Sequence, residues 1–256
     1  VPPGRKGRGD LIAKGEGVMC GMRVAERVWQ MADRGIAVGW HARDGADIVA
    51  GQVLATLHGR MRGLLIGERV ALNFLQRLSG IATLTARFHD AFGGAGGPVV
   101  CDTRKTTPLW RYLERYAVRV GGGVNHRFGL FDMILIKENH ARAAGGLRKA
   151  IALARDGRGR LRIAAEARDA AEVRICCEER VDLILLDNFS PARARAVIGR
   201  FRPAGIPFEV SGGVNLHNAR AFAYTGADRV SIGALTHSTP ALDISLQLYR
   251  EGQIAD

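Results

Sequence analysis

Beyond Pro98 the chain repeats one pattern, a short apolar or β-branched run followed by a longer stretch with apolar residues at helical spacing. The runs are Val99 to Thr103, Met133 to Lys137, Arg162 to Ala167, Asp182 to Asn188, Pro207 to Gly212 and Arg229 to Gly233. Each has strand length and strand composition. About six such βα units predict a parallel barrel or a doubly wound sheet.

Before Pro98 the pattern differs. Gly17 to Met22, Ile36 to His41 and Gln52 to His58 read as β-like runs around a helix-like Val24 to Ala32, which predicts a small α+β unit. Arg62 to Phe92 reads as helical with a break near Ser79-Gly80, its broad apolar surface made by Leu64, Leu65, Leu72, Phe74, Leu75 and Leu78. Val1 to Asp10 holds Pro, Gly and charge without apolar periodicity and reads as a leading loop; Gly93 to Pro98 reads as a loop too.

Composition narrows the class. A chain of 256 residues with 47% hydrophobic positions can fill a core and is long enough for a barrel with a small appended domain. No apolar run approaches the roughly 20 residues of a membrane helix, and no secretory signal opens the chain. The expected location is the cytoplasm, with Cys20, Cys101, Cys176 and Cys177 as reduced thiols or small core residues. The net charge of +12 invites a nucleic-acid reading, with Arg5, Lys6 and Arg8 as a basic arm. Against it, the arginines are spread over every helix-like stretch and only 6% of residues are aromatic, so no stacking platform accompanies them.

The candidate chemistry collects where the strand candidates end. Arg104, Lys105, His126, Arg127 and Lys137 crowd cations into Cys101 to His140, and Glu166, Asp187 and Ser211 stand at the ends of later runs. Ligands of α/β domains sit at the carboxyl ends of strands, so the set predicts one shared site for an anionic small molecule. Ser211-Gly212-Gly213 and Ser231-Ile232-Gly233-Ala234 each follow a strand and lead toward a helix, as a phosphate grip does. Glu166 and Asp187 suit either Mg²⁺ or the hydroxyls of a ribose.

With these residues in view, a resemblance can be stated. Glu68-Arg69-Val70-Ala71-Leu72-Asn73, Leu78-Ser79-Gly80-Ile81-Ala82-Thr83, Thr103-Arg104-Lys105-Thr106-Thr107-Pro108, Gly121-Gly122-Gly123-Val124-Asn125-His126-Arg127 and Gly233-Ala234-Leu235-Thr236-His237-Ser238 resemble the quinolinate phosphoribosyltransferase family. Leu186-Asp187-Asn188 and Ser211-Gly212-Gly213 follow in the family's order, so the resemblance covers nearly the whole chain.

The resemblance implies an α/β fold in which a small open α/β sandwich (residues 1–70, truncated at its start) precedes an incomplete parallel α/β barrel (residues 71–256) ending in a C-terminal helix. It implies transfer of phosphoribosyl from phosphoribosyl pyrophosphate to quinolinate with decarboxylation, in NAD biosynthesis. By the same resemblance Arg104, Lys105, His126 and Arg127 hold the quinolinate carboxylates, and Lys137, Glu166 and Asp187 contact phosphoribosyl pyrophosphate and its Mg²⁺. Ser211, Gly212, Gly213, Gly233 and Ala234 receive the 5-phosphate, and Arg69 reaches into the partner's site of a homodimer, with a hexamer as the alternative. Lys105, Lys137, Glu166 and Asp187 are the catalytic set, and no organic cofactor is implied.

Three positions depart from the family's pattern. Leu109 stands where a glycine is usual, Ala164 where a second strand glutamate is frequent, and Arg168 where an acidic or amide residue is frequent. The resemblance also makes the chain begin inside the sandwich domain. A paralogue found with molybdenum-transport genes is the nearest rival, and Lys137-Glu138-Asn139-His140 argues against it. A nucleic-acid-binding module is the rival from another class.

Overall fold

A computed structural model of the chain describes residues 1–2, 4–157 and 159–250. The chain opens with β1 (Lys6–Ala13), β2 (Gly17–Val18), α1 (Met22–Ala32), β3 (Ala37–Trp40), β4 (Asp47–Ile48), β5 (Val53–Arg60) and α2 (Met61–Ala91). It continues through β6 (Val99–Cys101), α3 (Arg111–Val120), β7 (Ile134–Ile136), α4 (Glu138–Ala143), α5 (Leu147–Gly157), β8 (Ile163–Ala167) and α6 (Ala170–Glu178). The last part holds β9 (Leu183–Asp187), α7 (Pro191–Phe201), β10 (Phe208–Ser211), α8 (Ala219–Ala223), β11 (Arg229–Ser231), α9 (Ala234–His237) and β12 (Ile244–Arg250). Two compact units result, one of residues 1–86, 112–122 and 238 onward, the other of residues 87–111 and 123–237.

The first unit is built on the antiparallel sheet β12-β1-β5-β3. Three expectations change here. The leading loop is strand β1 from Lys6 on, lying between β12 and β5. Its alternation is hidden because the buried positions 7 and 9 are glycines, which carry no apolar signal. Residues 244–250 form β12, not a C-terminal helix: Ile244, Leu246 and Leu248 recur at period two and pack with Leu11 and Leu57 in one core. Residues 251–256, also within the expected helix's reach, lie outside the described residues.

The third change is that α2 runs unbroken from Met61 to Ala91, through residue 70 and through Ser79-Gly80. Ser79 does not break the helix; its hydroxyl accepts from the Cys20 N–H (2.9 Å) and donates to the Cys20 carbonyl (3.1 Å). Gly80 is where another segment crosses the helix, since a Cβ there would lie 2.2 Å from the Pro240 carbonyl oxygen. Both residues answer to tertiary packing, which outweighs intrinsic propensity over so long a helix.

In the second unit all six predicted strands form, and they form one parallel sheet in the order β6-β11-β10-β9-β8-β7. Their buried runs, such as Leu183-Ile184-Leu185-Leu186, are the near-continuous apolar segments expected of strands covered on both faces. Asp169 caps α6 by accepting from the Glu172 N–H, and Ser190 followed by Pro191 starts α7. Strand order is consecutive from β7 to β11, and β6 joins beside β11, so the incomplete barrel opens between β6 and β7. The segment before β7 partly lines that opening: Val124 makes an isolated parallel bridge to Cys101, with Val124 N–H donating to Val100 (2.8 Å).

Candidate active site

The carboxyl ends of the six parallel strands surround a cavity of about 660 Å³. The loop after β6 brings Arg104 and Lys105, and the segment along the opening brings His126 and Arg127. Lys137 follows β7, Glu166 sits near the end of β8 and Asp187 ends β9. Ser211, Gly212 and Gly213 come from the end of β10, and Gly233 and Ala234 from the start of α9. The cavity therefore gathers every sequence-predicted site residue except Arg69, which is exposed on α2 in the first unit.

Hydrogen bonds fix most of these groups. Lys137 Nζ is paired with Glu166 Oε1, and Glu166 Oε2 accepts from the Glu138 N–H at 3.3 Å. Asp187 is held through both oxygens, by the Ser211 hydroxyl (2.9 Å) and the Asn188 amide (2.9 Å). The Thr236 hydroxyl donates to the Lys105 carbonyl at 2.7 Å and so ties the β6 loop to α9. Gly212 and Gly213 have φ of 87° and 66°, the left-handed backbone of an anion-binding nest. At Gly212 a side chain has no room, since a Cβ would lie 2.1 Å from Asn188 Oδ1.

Arg127 is 9% exposed, with Nη1 donating to the Met133 carbonyl at 3.1 Å. Burial first, and then the like charge of Arg104, push its guanidinium below the usual arginine range. An anion entering between Arg104 and Arg127 relieves both penalties.

Among the polar lining residues, the sequence reading assigned no individual role to Thr103, Asn188, Glu209 and His237, and it named Ser231 only within the phosphate-grip stretch. Glu209 had a signal, because period-two alternation on β10 puts it on the face of Ser211. The departures from the expected pattern resolve as well. Leu109 adopts the left-handed backbone (φ 67°) that a glycine takes readily, with its side chain exposed. Ala164 is buried with Leu135 and Leu183. Arg168 is ion-paired with Glu172 and with Glu138, the residue after Lys137.

Glu166 and Asp187 are hard oxygen donors, but among the described residues no group of three or more His, Cys, Asp or Glu converges as a metal site. Two carboxylates are donors of the type Mg²⁺ takes, with other oxygens needed to complete its shell.

The chain resembles known proteins over nearly its whole length. Residues 1–79 match the family described as quinolinate phosphoribosyl transferase, N-terminal domain, and residues 81–247 match its C-terminal domain. The probable nicotinate-nucleotide pyrophosphorylase (carboxylating) of Bacillus subtilis is 41% identical over 240 residues, 93% of this chain and 82% of that protein. The nicotinate-nucleotide pyrophosphorylase (carboxylating) of Mycobacterium leprae is 40% identical over 252 residues, 97% of this chain and 88% of that protein. Among solved structures, NadC from Streptococcus pyogenes superposes with a TM-score of 0.92 at 38% identity, covering 98% of this chain and 88% of that one.

Proposed function

The chain belongs to the quinolinate phosphoribosyltransferase family, and we propose that its cavity is where phosphoribosyl passes from phosphoribosyl pyrophosphate to quinolinate. The products are nicotinate mononucleotide, pyrophosphate and CO₂, which places the enzyme in NAD biosynthesis. The observation that carries the reading is that one cavity gathers the cations Arg104, Lys105, Arg127 and Lys137, the carboxylates Glu166 and Asp187, and the backbone at Gly212, Gly213, Gly233 and Ala234.

Arg104, Lys105 and Arg127, with His126, hold the two carboxylates and aim the pyridine nitrogen at the sugar C1. Ser211, Gly212, Gly213, Gly233 and Ala234 take the 5-phosphate through backbone N–H groups and a hydroxyl. Glu166 and Asp187 accept from the ribose hydroxyls, and Lys137 leaves Glu166 to neutralise the departing pyrophosphate. The nitrogen forms its bond to C1 as the C1–oxygen bond breaks, its electron pair going to pyrophosphate. The ring is then a cation, so the bond to the 2-carboxylate breaks with its electrons drawn toward the ring, CO₂ leaves, and the ring carbon takes a proton. Glu166 and Asp187 are also the residues that would hold Mg²⁺, which would supply further neutralisation of the leaving group.

The working unit of this reading is a homodimer, or a hexamer made of such dimers, with Arg69 entering the partner's cavity. Its support is the company Arg69 keeps: Leu65, Ile66 and Val70 beside it on α2 are all exposed, an apolar strip suited to burial against a second chain. Cytoplasmic location is part of the same reading, since all four cysteines are free and burial pushes thiols up, Cys176 to about 12. Nucleic-acid binding is disfavoured because surface arginines such as Arg148, Arg168 and Arg202 are paired with carboxylates.

The test is release of pyrophosphate and of labelled CO₂ from carboxyl-labelled quinolinate. One-to-one release that requires phosphoribosyl pyrophosphate is expected; pyrophosphate release without quinolinate, or no CO₂, overturns the assignment.

A further inference from the structure

Glu209 is an unusual residue to find where it lies. It is 0% exposed in the middle of β10, and its Oε2 has no hydrogen-bond partner among the described residues. A desolvated carboxylate with one oxygen unmet is an expensive way to fill space in a barrel. Its other oxygen accounts for it. Oε1 accepts from the Ser231 hydroxyl on β11, which fixes the rotamer, and lies 3.3 Å from His126 Nε2.

His126 connects that carboxylate to the anion-binding side of the cavity. Its Nδ1 lies 2.7 Å from the Arg127 backbone nitrogen. A backbone N–H only donates, so Nδ1 is the acceptor and the ring proton sits on Nε2, facing Glu209. The neighbouring backbone is held the same way from the other side: the His126 N–H donates to Asp102 Oδ1 at 2.7 Å, and the Asn125 amide donates to Asp102 Oδ2 at 2.6 Å. Asp102 too is 0% exposed.

Two buried carboxylates therefore hold residues 125–127, and the topology explains why they are needed. This segment lies at the opening of the barrel, between β6 and β7, where an isolated bridge at Val124 replaces a strand ladder. Without a ladder, the backbone that presents Arg127 is positioned by side chains.

We propose that Glu209 is a positioning residue: it fixes His126 as the Nε2–H tautomer and, through His126 Nδ1, sets the backbone from which Arg127 meets the acid substrate. The proposal rests on the reading of Arg127 as a quinolinate-carboxylate clamp. Glu209 acts through His126, so its removal bears chiefly on quinolinate; Ser231, whose hydroxyl it also accepts from, is not among the groups assigned to the 5-phosphate.

The experiment pairs steady-state kinetics with ¹⁵N spectra of the histidine rings in the whole enzyme. In the unmodified protein the His126 ring is expected as Nε2–H, with Nδ1 at the shift of an unprotonated acceptor; Nδ1–H overturns the proposal, and this reading needs no variant to fold. Glu209→Leu, similar in size but without an acceptor, is expected to raise the KM for quinolinate by about tenfold or more while the KM for phosphoribosyl pyrophosphate stays within about twofold. Glu209→Gln keeps an acceptor facing Nε2–H and is expected to restore most of that loss. Equal changes in both KM values, or a Gln variant no better than Leu, overturn the proposal. Arg127→Lys separates the two readings. If it leaves the quinolinate KM unchanged, the clamp reading fails; if it raises that KM and Glu209→Leu does not, the positioning role alone is wrong.

Discussion

The Lys137 ammonium and the Glu166 carboxylate are paired with one another, with Lys137 half-exposed and Glu166 nearly buried. Each is therefore occupied by the other before any substrate arrives, and an incoming pyrophosphate has to compete for Lys137. Removing Glu166 is expected to leave the acid side of the cavity intact. Calorimetry with quinolinate alone on Glu166→Ala is expected to give a Kd within about twofold of the unmodified enzyme, while turnover with phosphoribosyl pyrophosphate is lost. A loss of quinolinate affinity as large as that of Arg127→Ala would contradict this division.

Gly212 offers a sharper steric test. Its φ of 87° opposes any side chain, and so does the 2.1 Å that would separate an added Cβ from Asn188 Oδ1. Gly212→Ala is expected to cost about 1–2 kcal/mol from backbone conformation alone, and to displace the Asn188 amide that holds Asp187. Thermal melting together with the KM for phosphoribosyl pyrophosphate checks it: an unchanged melting temperature with unchanged KM is the contrary result. Gly213→Ala, with no atom within 4 Å of the added carbon, isolates the backbone contribution.

Acid stability should report on Asp33 in the first unit. The Arg60 guanidinium donates to both its oxygens (2.6 and 2.7 Å), and with the Gly35 N–H it holds the carboxyl down to about 2 from the ordinary 3.8. A depressed carboxylate contributes stability above its unfolded pKa and loses it as pH falls through the folded one. The window here is roughly pH 4 to pH 2. Arg60→Gln is expected to melt lower than the unmodified protein at pH 6, by a small margin because Arg60 is largely exposed to screening solvent. That difference should close as the pH approaches 2. A difference that persists unchanged to pH 2 would assign the effect to packing.

Much of this was legible in the sequence, for physical reasons that differ by element. The six parallel strands are buried on both faces, so each writes an apolar run; the site cations stand at the strand ends, where a ligand has to be. Strand β1 was invisible because glycines occupy its buried positions 7 and 9. Residue 80 looked like a break because a glycine needed for close approach to Pro240 reads the same as one that ends a helix. For Glu209 the sequence offered only the period-two spacing that puts it on the face of Ser211, which does not tell that its carboxylate is buried. Its role depends on Ser231 and His126, which only the folded sheet brings to it.

Shared sites can be tested by mixing subunits. Arg69→Ala and Glu166→Ala are each expected to be inactive alone. In a freely exchanging one-to-one mixture half the dimers are mixed, and each of those has one intact site of two, so about a quarter of the unmodified activity is expected. No recovery, with mixed dimers shown to form by mass, would mean that Arg69 serves its own subunit or none.

The strongest claim about specificity is that the enzyme takes quinolinate and rejects nicotinate. Arg127 is already opposed by burial and by Arg104, with Asp132 and Glu166 acting the other way, so a ligand that neutralises only part of this cluster leaves more of that penalty standing. A hydrogen bond to a charged group contributes about 1.5–3 kcal/mol, so dropping one carboxylate is expected to lower kcat/KM by about tenfold to several hundredfold. Chemistry adds a second barrier, because nicotinate has no 2-carboxylate to leave as CO₂ and lacks the step that draws the reaction forward. Arg127→Lys is expected to narrow the preference, a point charge matching a planar carboxylate less well than a guanidinium fork does. The measurement is the ratio of kcat/KM for the two acids in the unmodified protein. A ratio within about threefold of unity, less than one lost charge-assisted pair would give, would assign Arg104 and Arg127 to phosphate instead of the acid.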